Sequence, residues 1–432
     1  MLLAVPVRDV DDRCPGVLRP FAAADGAIVR LRVPGGRVSS HDLVTVCDLA
    51  ERFGQPFVQL TSRGNLQLRG LDEPLPGAFV DAVAALGMLP SATHERVRNI
   101  VAGPDASLDS LVQQLDSAIV DTPSLASLSG RWIFALAAGD ETLPAVPADV
   151  AFAFGADDDS SWTGEMRVDQ MRAGEVRVGG RSFACAAHQA AATLVAVAED
   201  FVATTQHDDG RFWNVTDLPD DHPFFARLDE RVRAAEVSAA DMPRAEARPA
   251  TGTAAATSKS RLEVHLPLGL LDAPAARALD EVTQDVVVTP ERSIVVRTLR
   301  DGADLPSATR HLRGAGFVTE PGSARARFSA CVGAPYCRRT DVSTLDLTRA
   351  AARIFDDGNW CDTALDDSRI GSVIAASTPE HASADDRRAT VSAAPRVHVV
   401  GCERACGRPA GEHHLVVAPH NLTDILDPNG RS

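Results

Sequence analysis

Lysine is all but missing from this chain. Of its 43 basic residues only Lys259 is a lysine, so positive charge is carried by arginine, which grips carboxylates with a planar fork but is a poor proton donor. Acid–base chemistry by lysine is thereby excluded almost everywhere. Cysteine is scarce as well. Eight in 432 residues are too dilute for a disulfide scaffold, and a reducing compartment keeps them as thiols. No apolar run reaches the length of a membrane span. The opening MLLAVPVRDVDD has too short an apolar patch and too acidic a sequel for a secretory signal, so a cytoplasmic location is expected. A formal charge of -16 argues against nucleic acid and anionic membrane as partners. No strand–GxGxxG–helix fingerprint for a dinucleotide occurs, and electrons are expected from an external donor.

What is present is organised as a repeat. In IVRLRVP, 28–34, Val29, Leu31 and Val33 face one way and Ile28, Arg30 and Arg32 the other, as in a half-buried strand. A helix follows, with Ser39 or Ser40 as N-cap, a stripe of Leu43, Val46, Cys47, Ala50 and Phe53, and Gly54 as its end. FVQLTSRGNLQLRGL, 57–71, then reads as a strand, a break at Ser62–Gly64 and a second strand with Asn65, Gln67 and Arg69 outward. The same phrase returns at 261–299, with Pro267 in the place of Pro34, Thr289 of Thr61, Ile294 and Val296 of Leu66 and Leu68, and Arg297 of Arg69. We read this as an internal duplication, against the alternative of chance likeness between two common strand–helix–strand units. An Ala-, Thr- and Pro-rich stretch at 242–260 reads as a linker. The expected fold is α+β: a half-domain at 1–90, a larger α/β domain at 91–241, a second half-domain at 261–318, and a further α/β domain at 319–432. The polar stretch 367–395 is expected to be a loop.

Four of the cysteines form a constellation. Cys331 and Cys337 stand as C-x5-C in ACVGAPYCRRT, and Cys402 and Cys406 as G-C-x3-C-G after a Val-rich strand. Two thiolate pairs suit a soft, multi-iron [4Fe–4S] cluster, and glycines beside the ligands let backbone N–H groups approach sulfur. Structural zinc favours shorter and more regular spacings. Paired disulfides are disfavoured in a reducing compartment, and four unrelated thiols would leave the flanking glycines and proline unexplained. Cys47 and Cys185 lie on apolar patterns read as helical and are expected in the core. Cys14, beside a Pro-Gly turn, is expected at the surface without a role, and Cys361 lacks a partner at ligand spacing. His398, His413 and His414 are expected to pack or to face solvent.

C-x5-C and C-x3-C after the second of two half-domains resembles the sirohaem and [4Fe–4S] nitrite and sulfite reductase superfamily. LTSRGNLQLRGL resembles its tetrapyrrole-contacting strand and HERVRNIVAGP, 94–104, its Arg-Asn segment. Within the superfamily, CPGVLRPFAAADGAIVRLRVPGGRV, TPERSIVV and CVGAPYC resemble the precorrin-3B synthase branch. The resemblance implies two ferredoxin-like half-domains forming a joint sheet, plus two larger nitrite/sulfite-reductase-like domains. It implies a cluster on Cys331, Cys337, Cys402 and Cys406, with either sirohaem bridged through Cys406 or a separate non-haem iron. No local H-x-D…H pattern for such an iron stands out among the histidines.

That branch implies a monooxygenase of cobalamin biosynthesis. Its substrates would be precorrin-3A, a tetrapyrrole decked with carboxylates, and dioxygen, and its donor a ferredoxin, a flavoprotein or an NADH-linked reductase. Several guanidinium forks are needed for such a ligand. Arg30, Arg32, Asn65, Gln67, Arg69, Arg292 and Arg297 are the candidates from the duplicated strands. Arg63, Arg98 and Asn99 are expected nearest the reacting centre. The superfamily's proton-delivering lysines fall on SLSGRWIFAL, 127–136, where Ile133 and Arg131, itself a further candidate for binding the substrate, stand instead. A surface role is the alternative for each arginine. Rival functions are a sulfite or nitrite reductase, and a non-catalytic iron–sulfur or tetrapyrrole-binding protein.

Overall fold

The computed structural model describes residues 12–139, 143–144, 146–155, 173–206, 208, 212–240, 262–320, 323–356, 396–409 and 413–426. The linker at 242–260, the loop at 367–395, Lys259 and Cys361 lie outside them.

The first unit contains β1 (Phe21–Ala23), β2 (Gly26–Leu31), β3 (Arg37–Ser39), α1 (Ser40–Phe53), β4 (Val58–Leu60), β5 (Leu66–Leu71) and α2 (Gly77–Ala85). Helix α1 starts where Ser39 accepts a hydrogen bond from the Asp42 N–H and stops at Gly54, burying Leu43, Val46, Cys47 and Ala50. The second unit contains β6 (Ile100–Ala102), α3 (Asp109–Asp121), β7 (Phe134–Ala137), β8 (Val150–Phe154), β9 (Ala173–Val178), β10 (Arg181–Ala186), α4 (Ala190–Thr205) and α5 (Pro223–Ala240). Its sheet runs β10-β9-β8-β7-β6, parallel from β6 to β8 and antiparallel beyond. Cys185 lies on β10, a strand rather than a helix, and is buried there.

The third unit repeats the first: β11 (Leu262–His265), β12 (Leu270–Leu271), α6 (Ala273–Val282), β13 (Asp285–Val288), β14 (Ser293–Thr298) and α7 (Leu305–Gly314). The likeness reaches single torsions. Pro34-Gly35-Gly36 and Pro267-Leu268-Gly269 each make one tight helical turn, with φ of 60° and 72° in the first and 62° and 69° in the second at the last two residues. The hairpins match as well. The Thr61 N–H donates to the Asn65 carbonyl and that of Thr289 to the Ser293 carbonyl, with Gly64 at φ 66° and Arg292 at φ 61° in the left-handed position.

The expected joint between half-domains takes the form of an exchange. The sheets run β1-β2-β5-β4-β12 and β11-β14-β13-β3, so each half-domain gives one short strand to the other's edge. Helices α1 and α6 pack together, and one hydrophobic core, including Leu43, Val46, Leu66, Val264, Leu279 and Ile294, spans both copies. The fourth unit contains α8 (Ala324–Arg327), β15 (Phe328–Ala330), α9 (Thr344–Asp356), β16 (Arg396–Val400) and β17 (His413–Val417), its three strands parallel in that order. It rests on the joint. Phe57, Leu268 and Leu270 are buried with Phe328, Val332 and Val399, and Phe57 meets Tyr336 edge to face at 5.2 Å between centroids.

Gly36 sits where the exchange crosses. A Cβ there would collide with the Val288 carbonyl oxygen, and its φ of 72° is already unfavourable for other residues. Gly36→Ala is therefore expected to lower unfolding free energy by about 3 kcal/mol or more in a urea titration.

Candidate active site

The four expected ligand cysteines leave one end of the β15–β16 pair. Because the two strands are parallel neighbours, Cys331, directly after β15, and Cys402, just after β16, emerge side by side. The Cys331 N–H donates to the Val399 carbonyl at 2.9 Å, and the Gly401 N–H donates to Cys331 Sγ at 3.3 Å. Thr344, buried beneath, donates its hydroxyl to the Cys331 carbonyl at 2.7 Å. Gly333, at φ 54° and without room for a side chain against Thr344, turns the chain so that the Cys337 N–H reaches its carbonyl at 2.7 Å. Burial first, and then the nearby Cys331 and Cys402, push the Cys406 thiol up, against the pull of Arg69 and Arg404.

Among the described residues, no group of three or more His, Cys, Asp or Glu side chains is drawn together tightly enough to hold a metal ion. The surroundings nevertheless suit sulfur-held iron. A backbone N–H is aimed at one thiol, two glycines stand where side chains would block the loops, and two arginines offset thiolate charge. Cys331, Cys337, Cys402 and Cys406 are the residues that would hold a cluster here, with electron storage as the chemistry it supplies.

His398 neither faces solvent nor merely fills space. It is 0% exposed, with Nε2 3.1 Å from the Cys406 carbonyl oxygen and Nδ1 2.9 Å from Ser329 Oγ. A carbonyl accepts only, so Nε2 carries the hydrogen and Nδ1 accepts from the serine hydroxyl. Burial holds the imidazole down to about 4, which keeps it neutral near pH 7. The relay ties β15, β16 and the Cys406 loop into one unit.

The polar face of the first half-domain is not a solvated platform. Arg32, expected outward, is 2% exposed, because the stretch 12–19 and the second unit cover it. Its guanidinium donates to the carbonyls of Arg96 (3.2 Å), Pro15 (3.3 Å) and Arg30 (3.1 Å). Burial, with Arg30 and Arg63 nearby, pushes it down to about 9. Arginine keeps its proton regardless, and the displacement reflects burial first and the neighbouring like charges second. Arg30 and Arg63 are pushed down too, burial being the largest cause, and the positive charge of Arg131 adds to the push on both. Arg30 Nε and Arg32 Nη2 are buried without a hydrogen-bond partner among the described residues. Arg63 Nη1 donates to the Gly130 carbonyl at 3.2 Å, and Arg131 lies 4.8 Å over the Trp213 ring. Gln67 joins Arg30 (2.8 Å) to Gln59 (2.8 Å).

Other expected site residues are committed elsewhere. Arg98 forks onto Asp116 at 2.7 and 2.6 Å, and Arg297 bridges Asp285 and Asp109. Both line a separate cavity of about 340 Å³ with Arg37. Asn99, 1% exposed, spends its side chain on Asn65, the Arg96 carbonyl and the Gly130 carbonyl, and Asn65 spends its own on Asn99 and the Val33 N–H. These contacts help to hold the frame, while Arg98 Nη1 is buried without a partner among the described residues. Arg69 forks onto buried Asp25 yet still acts on Cys406. Arg292 reaches the Gly407 carbonyl at 3.5 Å, beside the cysteines.

Unforeseen residues shape the cleft. Glu95 accepts from the N–H groups of Val17 (2.8 Å) and Leu18 (3.0 Å), and Asp12 accepts from those of Cys14 (3.0 Å) and Gly130 (2.5 Å). Cys14 is buried rather than exposed. Asp149 accepts from the N–H groups of Ile133 (2.8 Å) and Val215 (2.7 Å) and from Asn214 (3.0 Å), pinning the segment that carries Arg131.

Comparison with known proteins places this geometry. Residues 22–84 match the nitrite/sulfite reductase ferredoxin-like half domain. Over 88% of its length the chain superposes on 69% of the Mycobacterium tuberculosis NirA protein, with a TM-score of 0.54 and 14% identity. The chain thus carries one stretch similar to that half domain and shares the fold of the NirA protein. It is 40% identical over 58 residues to a precorrin-3B synthase of Sinorhizobium sp, covering 13% of each chain. It is 36% identical over 84 residues to a ferredoxin–nitrite reductase of Synechococcus elongatus, covering 19% of this chain and 16% of that one. A third relative is the sulfite reductase [NADPH] hemoprotein beta-component of Chromohalobacter salexigens, 36% identical over 85 residues, covering 18% of this chain and 14% of that one. The aligned stretches thus span less than a fifth of each of these three relatives. Among the described residues no helix is long and apolar enough to cross a membrane.

Asp149 gives a pH test. Burial outweighs its three donors and raises its pKa from 3.8 to about 6. Between those values the folded state holds a proton that the unfolded state releases, so this group's contribution to stability falls as pH rises through that window. Asp149→Asn should lack that slope. Relative to wild type, its unfolding free energy should gain about 3 kcal/mol between pH 4 and pH 7 in urea titrations.

Proposed function

We propose that the chain is an oxidoreductase of the precorrin-3B synthase kind, hydroxylating precorrin-3A with dioxygen and closing a lactone from a neighbouring acetate, in cobalamin biosynthesis. The observation that carries the reading is the buried cluster of Arg30, Arg32 and Arg63, in which Arg30 Nε and Arg32 Nη2 lack partners among the described residues and the guanidinium charges repel one another. Several carboxylates on one rigid ligand would satisfy those donors and relieve that repulsion at once. The 40% identity to a precorrin-3B synthase points the same way.

The lack of lysine separates this reading from reduction of sulfite or nitrite. No lysine occurs among the described residues. Arg131 and buried Ile133 occupy the segment where the resemblance puts the proton-delivering lysines. A reduction that consumes many protons is poorly served by guanidinium groups. In the proposed reaction the arginines bind and orient the macrocycle, the stretch 12–19 and the second unit exclude water, and the Ser329–His398 relay fixes the Cys406 loop. A cluster on the four cysteines would pass electrons from an external donor, a ferredoxin, a flavoprotein or an NADH-linked reductase. Sirohaem bridged by Cys406, or a separate non-haem iron, is the further group that oxygen chemistry calls for.

The nitrite and sulfite reductases among the relatives favour a second reading, a sirohaem-dependent reductase. Iron and labile-sulfide analysis with an optical spectrum of anaerobically prepared protein tests both. Cluster iron with oxygen-dependent conversion of precorrin-3A is expected. A sirohaem spectrum with turnover of sulfite or nitrite would establish the reductase instead, and tetrapyrrole binding without oxygen consumption a non-catalytic carrier. Cys402→Ser should abolish cluster absorbance and oxygenation together. Arg63→Ala should weaken tetrapyrrole binding roughly ten- to hundredfold, the worth of a charge-assisted hydrogen bond, while the cluster spectrum persists. Unchanged affinity, measured by fluorescence quenching, would remove Arg63 from the site.

A further inference from the structure

Among the described residues, four that are not glycine take a positive φ: Leu268 (62°), Arg292 (61°), Ala405 (46°) and Ala418 (48°). Residues with a Cβ are uncommon in that region. They persist where the surrounding structure holds them, most often at functional sites. All four lie at one joint. Leu268 is buried in one cluster with Phe328 and Val332 of the fourth unit. Beside it, Gly269 leaves room for the Arg292 stem, since a Cβ on that glycine would stand 2.9 Å from Arg292 Cδ and 3.2 Å from its Cβ. Arg292 then crosses to the Gly407 carbonyl. The Ala418 N–H donates to the Val400 carbonyl at 2.6 Å, at the end of the strand that leads into Gly401 and Cys402.

Ala405 and Gly407 flank Cys406 and, with φ of 46° and 79°, bend the chain on both sides of it. The turn's own backbone supplies two hydrogen bonds of 3.2 Å, from the Ala405 N–H to the Cys402 carbonyl and from the Arg408 N–H to the Ala405 carbonyl. The next two carbonyls are held from outside. That of Cys406 accepts from His398 Nε2 at 3.1 Å, and that of Gly407 from Arg292 Nη2 at 3.5 Å, a long bond that a full positive charge strengthens. His398 belongs to β16 beneath the turn, and Arg292 to the hairpin of the second half-domain. In the first copy the matching position is Gly64, at φ 66°. Glycine takes that conformation without strain. The second copy bears the strain of an arginine there, and what the arginine adds is its reach to the Cys406 turn.

We propose that Arg292 is a positioning residue for Cys406: with His398 it clamps two consecutive carbonyls and so fixes where the Cys406 sulfur stands relative to the second half-domain. The assignment rests on the cluster reading given above and adds to it a reason for the strain. Partners that orient metal ligands govern metal affinity by roughly ten- to hundredfold. A ligand already held in place has less freedom to lose when the metal binds.

The test uses the full chain, loaded anaerobically with iron and sulfide. Transfer of iron to bathophenanthroline is followed by absorbance, global stability by urea titration, and hydrogen exchange of the 401–409 peptide by mass in the metal-free chain. Arg292→Gly restores the residue of the first copy. Relief of strain and the greater freedom of glycine in the unfolded chain roughly offset one another, so the urea midpoint should stay close to that of wild type. Its iron should nevertheless leave about tenfold faster, and the 401–409 amides should exchange about fivefold faster, the worth of one hydrogen bond. His398→Leu should release iron about tenfold faster as well, whereas His398→Gln, which keeps an N–H donor, should stay within about twofold of wild type. Iron release from Arg292→Gly at the wild-type rate overturns the positioning role and leaves the proposed function standing. A urea midpoint that falls in step with faster release overturns it too, because Arg292 would then serve general stability. A wild-type chain that takes up no cluster iron overturns both.

Discussion

Two short backbone ladders, β3 on β13 and β12 on β4, set the relative position of everything else. Each is only two or three residue pairs long, but they cross, so neither half-domain can rotate without breaking main-chain hydrogen bonds in both sheets. The shared core beneath them completes the constraint. On this base the fourth unit is seated through Phe57, Leu268 and Leu270, which come from the exchanged region itself. The geometry between the cysteine loops and the arginine-bearing strands is therefore inherited from the exchange. Arg69, acting on Cys406, and Arg292, reaching the Gly407 carbonyl, are where the two parts meet.

The electrostatics of the cleft run against ordinary folding preferences. Burial of one guanidinium is costly, and clustering several compounds the cost. Elsewhere in the molecule that cost is offset by carboxylates, as for Arg98 with Asp116, Arg69 with Asp25 and Arg297 with Asp285 and Asp109. Around Arg30, Arg32 and Arg63 the offset is weaker: Asp12, Glu95 and Asp149 act on them at longer range, and Asp12 also pairs with Arg96 and Arg131. Glu95 and Asp12 bind backbone N–H groups, and Asp149 holds Ile133 and Val215.

Much of the frame was legible in the sequence, because local periodicity and caps determine it. Helix α1 begins at Ser39, buries the expected stripe and ends at Gly54, and the duplication reaches individual left-handed residues. The glycine beside Cys402 does bring a backbone N–H to sulfur, though to Cys331 of the other pair. Long-range pairing was not legible. Nothing near Arg98 or Arg297 in the sequence announces Asp116 or Asp109, so arginines paired with a carboxylate could not be told from those without one. The outward face of β2 was misjudged for the same reason: alternation tells which residues share a face, not what covers it. Cys14 and His398 carried faint signals, the first inside an Asp-x-Cys-Pro-Gly turn and the second in the buried run that ends β16.

The exchange of strands also has a consequence for biosynthesis. While the chain emerges from the ribosome, the β4 edge of the first sheet lacks the strand that covers it until Leu271 has been made, since among the described residues β12 is its outer neighbour. At about 5–20 residues per second that interval is on the order of ten to forty seconds. An uncovered edge is a template for pairing with other nascent chains, so chaperone occupancy during translation should centre on β4 and end once the second copy arrives.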